Sequence, residues 1–292
     1  DKALLQDSFS RIATGDRFGI ELFKSYLETN SYRPVSNIYN WTIAQIGGNN
    51  QLIFRLFNFL ILSFISILLV NIFNILKFSK KTSAISVMLA MAHPVIFATM
   101  GWIPSSTILL STLFSLLSFF FFYYFLKKTD GFLLFLQFIS VFLAIGSNES
   151  GFAIPFILLA FLFLNKDLEI SLSQKIQAIT SWAIAIIIYF LMLSNANFGL
   201  EVSDIKLENI IINIQLIPEM IANFFAPFNL PVLSIFSNFK SMIGLFLIAL
   251  LFTIGKLTNI LNTTQSKISL IWILISSFPF ILIIPFNAIN TY

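Results

Sequence analysis

The chain has 292 residues, 58% of them hydrophobic and only 10% charged, with 36 phenylalanines and a formal net charge of +4, and its mean hydropathy is +0.90. A soluble domain of this length carries roughly a quarter charged residues, so the composition is that of an integral membrane protein. The absence of cysteine excludes disulfides, thiolate metal sites and cysteine nucleophiles, and the single histidine argues against zinc sites and histidine-based triads.

Residues 1–50 are hydrophilic with balanced charge and read as an extracytoplasmic loop, and residues 51–292 as a transmembrane helical domain. The loop opens "DKALLQD" with no signal peptide, so a transmembrane helix upstream of Asp1 is expected to translocate it. The other end, "IIPFNAINTY", stops just after a span and reads as cut, which makes the chain the interior of a longer protein. Near the end of the loop, "SYRPVSNIYNW" (residues 31–41) sets Arg33 before a proline that holds the backbone extended and aims the side chain. The planar fork of arginine suits phosphate, because it donates two parallel hydrogen bonds.

Apolar runs of the length that crosses a ~30 Å hydrocarbon core follow. They lie near 53–76, 82–103 (interrupted), 105–126, 131–147, 151–165, 176–194, 233–255 and 268–286, which predicts an all-α, polytopic bundle of about eight spans. If the spans alternate, Lys77, Lys80, Lys81, Lys127, Lys128, Lys166, Lys175, Lys256 and Lys267 share one side, and the positive-inside rule makes that side cytoplasmic. Residues 1–50 and the acidic loop 195–231 then face outward. Helix-breaking residues gather toward that outer side: His93-Pro94, Gly101, Pro104, Gly146, Gly151 and Pro155. Such breaks are tolerated where they line a cavity.

Thr82 to His93 is about 12 residues, roughly 18 Å of helix, which puts the imidazole in the outer third of the membrane. There it either serves packing alone, bonded to a neighbouring helix or to a carbonyl freed by Pro94, or it helps form a polar outer pocket. Glu149, in "IGSNESG", is the one acid embedded between apolar segments, and it either reaches interfacial water from a short loop or marks a substrate path or paired charge. The run "FSLLSFFFFYYF" reads as lipid-facing bulk, with Tyr123 and Tyr124 at the cytoplasmic interface. Residues 208–228 either lie along the outer interface as a cover or form a plain loop. Lys240 either starts its span later than residue 233 or snorkels outward. No nucleotide loop and no nucleic-acid patch is present.

The three stretches "YRPVSN", "AMAHPVIFATMGWI" and "SNESGFAIPFILL", in this order and spacing, resemble the membrane core of GT-C glycosyltransferases. The closest likeness is to the tetratricopeptide-containing transmembrane O-mannosyltransferases and their bacterial relatives in the protein O-mannosyltransferase group, over roughly residues 1–165. The resemblance implies a GT-C-like bundle in the cytoplasmic or ER-type membrane. It also implies transfer of a sugar from a polyprenyl-phosphate carrier to a protein or glycan acceptor on the extracytoplasmic face. Asp1 matches the second member of the family's acidic pair and would be the general base; Arg33 would hold the leaving phosphate, with Tyr32, Asn37, His93 and Glu149 as further substrate-binding positions. No cofactor is implied beyond the lipid-linked donor, and a divalent metal stays open. The chain departs from the family where Ile96, Ala98 and Thr99 replace polar or charged positions and where Asn148 replaces the lysine of a Lys-Glu pair. These losses keep two alternatives in view: a catalytically inactive scaffold subunit, and a carrier for a lipid-linked substrate.

Overall fold

A computed structural model describes residues 32–48, 50–93, 96, 99–100, 105–165, 168–195 and 239–257, with single positions at 218, 222, 263, 266–268 and 270. Asp1, Pro94, Ala98, Gly101, Pro104, nearly all of 195–231 and most of the span expected at 268–286 lie outside the described residues. All regular structure among the described residues is helical. The chain divides into two compact units, residues 1–162 with 166–200, and residues 163–165 with 201–292.

The first unit opens with α1 (Pro34–Gly47), where proline at the first helical position fits an end whose N–H has no helical partner. Gly48 ends it at φ 55, a conformation that favours glycine, and its N–H donates to the Ala44 carbonyl. Asn50 then caps α2 (Gln51–Ile75), and Ser79 caps α3 (Lys80–Met91), each side chain accepting a backbone N–H of the first turn. Next come α4 (Ser106–Lys128) and α5 (Gly131–Ser147), joined through left-handed Thr129 and the capping residue Asp130. A single 3₁₀ turn (Glu149–Phe152) leads into α6 (Ala153–Leu164), and α7 (Leu172–Asn195) closes the unit. The α4–α5 hairpin is its centre, with α2 packed on α4, α3 on α2, α7 on α5, and α1 laid across α2, α4 and α5.

Buried polar groups stitch these helices where water cannot. The Gln174 amide donates to the Leu126 carbonyl (2.9 Å) and to the Thr129 hydroxyl (3.0 Å), satisfying a carbonyl left open at the end of α4. Midway along, Ser181 donates to the fully buried Gln137 (3.0 Å), an interhelical bond of the kind that joins α-helices in lipid. The outer faces are apolar and exposed, as at Leu56, Phe59 and Phe64 of α2 and Ile176, Ile187 and Leu191 of α7. That inversion is what a lipid solvent permits, and it marks the protein as membrane-embedded.

Four described helices are long and apolar enough to cross a membrane: α2, α4, α7 over Leu172–Ser194, and α8 (Lys240–Leu257) in the second unit. The other expected spans that fall on described residues are shorter, α3 stopping at Met91 and α5 and the segment Glu149–Leu164 having 17 residues or fewer. Of the seventh expected span, α8 covers the residues from Lys240 onward, and 233–238 lie outside the described residues.

One expectation is corrected outright. The phenylalanine run is not lipid-facing bulk: Phe119, Phe122 and Phe125 are fully buried. Phe119 stacks edge-on against Phe161 of α6 (5.0 Å) and Phe122 against Trp182 of α7 (5.5 Å). These edge-to-face rings form the interior of the bundle. Tyr123 and Tyr124 stand at the end of α4 beneath Lys127 (4.8 Å) and Lys128 (6.0 Å), an arrangement suited to an interface.

Candidate functional site

The site forms where the start of α1 meets the connection between α5 and α6. Helix α1 comes very near α5 because Gly146 has no side chain; a Cβ there would stand 2.7 Å from Val35 Cγ2. Ser36, buried one residue along, donates to the Ser147 carbonyl (2.8 Å) and so ties the two helices at that point. On the other side of the connection, Gly151 lets the 3₁₀ turn fold back on the end of α5, where a Cβ would sit 2.4 Å from the Ala144 carbonyl. Asn148 caps the turn by accepting the Ser150 N–H (3.0 Å), and Ser150 meets Ser111 of α4 (3.3 Å). The result is a Glu149 held at a defined height and heading.

Arg33 meets it from the start of α1. Its Nε donates to Glu149 Oε1 (3.0 Å) and Oε2 (3.1 Å), and its Nη2 donates to Oε2 (2.7 Å). The two residues are 116 positions apart in sequence, and their side chains keep 33% and 35% exposure, so the pair is formed yet reachable. A side-on, two-point guanidinium–carboxylate contact is the strong form of this interaction. Tyr32, just before, is buried; its carbonyl accepts the Tyr189 hydroxyl (2.9 Å), and the two rings pack at 5.6 Å. Phe152 of the 3₁₀ turn closes over the Tyr189 ring at 5.3 Å. The Tyr32 hydroxyl is a buried polar atom with no hydrogen-bond partner among the described residues.

Two further groups of α1 face the bundle. Ser106 at the start of α4 donates to Asn40 (3.1 Å), and Tyr39 donates to the buried Asn58 of α2 (3.4 Å). Burial pushes the Tyr39 phenol up to about 12 and raises Tyr32 above its ordinary value, so both are neutral donors at physiological pH.

Of the residues named from sequence, Tyr32, Arg33 and Glu149 are brought together. Asn37 stands half-buried in the first turn of α1, its N–H donating to the Arg33 carbonyl (3.0 Å). His93 is half-buried just past α3, its backbone N–H on the Ala90 carbonyl (3.2 Å). Asp1 lies outside the described residues. Sequence reasoning missed Tyr189, Ser36 and Ser147; the one available signal was a tyrosine inside the apolar run "IIIYFLM", since a phenol in lipid needs a partner. No three histidine or acidic side chains come close enough to hold a metal ion among the described residues. No family model matches the chain, and neither a curated protein nor a solved structure matches it.

Proposed function

We propose that the chain is the core of a GT-C-like membrane glycosyltransferase that moves a sugar from a polyprenyl-phosphate carrier to a protein or glycan acceptor on the extracytoplasmic side. The observation that carries the reading is the Arg33–Glu149 pair, a reachable pair of opposite charges at a helix connection of a membrane-embedded bundle. Ionisable groups in such a setting mark substrate paths far more often than passive surface. Arg33 supplies N–H donors for the phosphate of the carrier, Tyr32 a buried hydroxyl, and Glu149 a carboxylate suited to sugar hydroxyls. Asp1 takes the role of base for the acceptor hydroxyl, and Asn37 and His93 belong to the donor or acceptor path. In this reading about eight spans make up the bundle, counting the short helices and those outside the described residues.

A second reading has one observation in its favour. Glu149 takes two of the donors of Arg33 so completely that the pair also serves as a staple between α1 and the α5–α6 connection, which is all a non-catalytic scaffold needs.

The transfer assay separates the two. The full-length protein, purified into proteoliposomes and supplied with polyprenyl-phosphate sugars and a panel of hydroxyl-bearing peptides and glycans, is expected to release polyprenyl phosphate as the sugar moves. Retention of every donor intact would remove transfer and leave the non-catalytic readings.

Orientation is open to an independent test, because the chain has no native cysteine to interfere. Gln51 and Lys81 are both exposed, one at the start of α2 and one at the start of α3. In intact cells a membrane-impermeant thiol reagent is expected to label Gln51→Cys and to reach Lys81→Cys only after permeabilisation. The reverse pattern would put the site on the cytoplasmic face.

A further inference from the structure

To a guanidinium, a carboxylate and a phosphate are ligands of one kind: each offers two oxygens in a plane that matches two parallel N–H donors. The Nε and Nη2 donors of Arg33 are both engaged by Glu149, at 2.7 to 3.1 Å. A phosphate approaching that edge therefore meets an anion already in place. We propose that Glu149 is a built-in competitor for the phosphate of the lipid-linked substrate, so that binding proceeds by exchange of one anion for another at Arg33. The proposal rests on the reading of Arg33 as the phosphate-binding residue.

Both partners sit on anchored backbone, so exchange asks only that a side chain turn. The backbone around Arg33 is held from both sides: Pro34 starts a helix, Tyr189 grips the Tyr32 carbonyl, and Ser36 is fastened to the Ser147 carbonyl. The turn that carries Glu149 is secured by bonds of its neighbours, the Asn148 side chain on the Ser150 N–H and the Asn148 carbonyl on the Gly151 N–H. Rotating the Glu149 side chain away breaks none of these. With its side chain 35% exposed, the carboxylate has water to turn toward.

Exchange has two consequences. In the closed state Arg33 is neutralised, so the affinity for phosphate is lowered by the fraction of time the ion pair is closed; a pair closed nine-tenths of the time lowers it about tenfold. In the open state the released carboxylate stands beside the bound phosphate, where a transferred sugar presents its hydroxyls. When the phosphate leaves, Glu149 returns to Arg33.

The test is phosphate binding by the full-length chain in nanodiscs, with polyprenyl phosphate, unphosphorylated polyprenol and inorganic phosphate as separate probes. Glu149→Gln is expected to bind polyprenyl phosphate about tenfold more tightly than the unmodified protein. Glu149→Asp keeps the charge and the fold but shortens the reach, and should fall between them. The gain should vanish when Arg33→Gln is added and should be absent with polyprenol. A matching gain for inorganic phosphate would support the exchange and identify the free anion as sufficient, whereas a gain confined to the lipid would assign it to the headgroup in place. If the unmodified protein binds polyprenyl phosphate in an Arg33-dependent way and both Glu149 variants bind no more tightly, competition is overturned and the phosphate site stands. If polyprenyl phosphate binds no better than polyprenol and Arg33→Gln changes nothing, the phosphate reading falls and the exchange with it.

Discussion

Gly151→Ala is expected to prevent the first unit from closing. A Cβ at this position would stand 2.4 Å from the Ala144 carbonyl carbon and oxygen and 2.6 Å from the Ile145 nitrogen. These are backbone atoms in the last turns of α5, so no side chain is free to swing away and the 3₁₀ turn must lift as a whole. Lifting it pulls Glu149 from Arg33 and Ser150 from Ser111. The cost is expected at about 3 kcal/mol or more, the upper end for an overpacked interior. Gly131→Ala is the matched control: it opens α5 with nothing within 4 Å of the added carbon, and alanine there should be neutral or stabilise by about 0.5 kcal/mol. Thermal melting in detergent, followed by size-exclusion, reads the contrast. Equal melting of the two variants would mean that the turn does not seat on α5.

The second large effect concerns transfer. Asp1→Asn is expected to lower the rate by between about a hundredfold and ten-thousandfold while leaving carrier binding intact, because it removes the proton acceptor without changing shape. Arg33→Ala should do the opposite in kind: binding of the carrier weakens by about a hundredfold or more, since a charge-assisted two-point contact is lost. Measured together, donor binding and single-turnover transfer separate these outcomes. Two variants that are indistinguishable from the unmodified protein in both assays would remove the catalytic reading altogether.

What the sequence made legible follows from what lipid tolerates. Glu149 stood out because a charge between apolar segments must find a partner or a task, and Arg33 because the proline after it holds the backbone extended; the two meet in space. Their direct pairing was less legible, because the resemblance assigned Arg33 to a phosphate and left no local signal of a second carboxylate-like guest. The two glycines were seen as helix breaks, but their use as contact surfaces depends on which helix passes by, and no neighbouring residue encodes that. Helix α1 was hidden inside a hydrophilic segment whose apolar residues, Ile43 and Ala44 among them, are too few to announce a helix before Phe54 is there to bury them. The phenylalanine run was misplaced for a different reason. A helix that is apolar all round gives no direction to its buried face, and lipid tails and packed rings present the same polarity to a sequence reader.

The short helices on either side of Glu149 carry a mechanical implication. Helix α4 has 23 residues and extends about 35 Å, whereas α5 has 17 and reaches about 26 Å, and α6 has 12 and reaches about 18 Å. Phe135 and Phe156 on these shorter helices are exposed, apolar surface of the kind acyl chains can cover. A bilayer of ~30 Å hydrocarbon cannot match both lengths at once, and the mismatch is relieved by thinning beside the short pair or by tilting it, at a fraction of a kcal/mol per ångström. Thinning lowers the headgroup layer toward Glu149 and Arg33. In the proposed reading, a phosphate carried on a long isoprenoid anchor would then reach the depth of Arg33 without its tail being drawn out of the membrane.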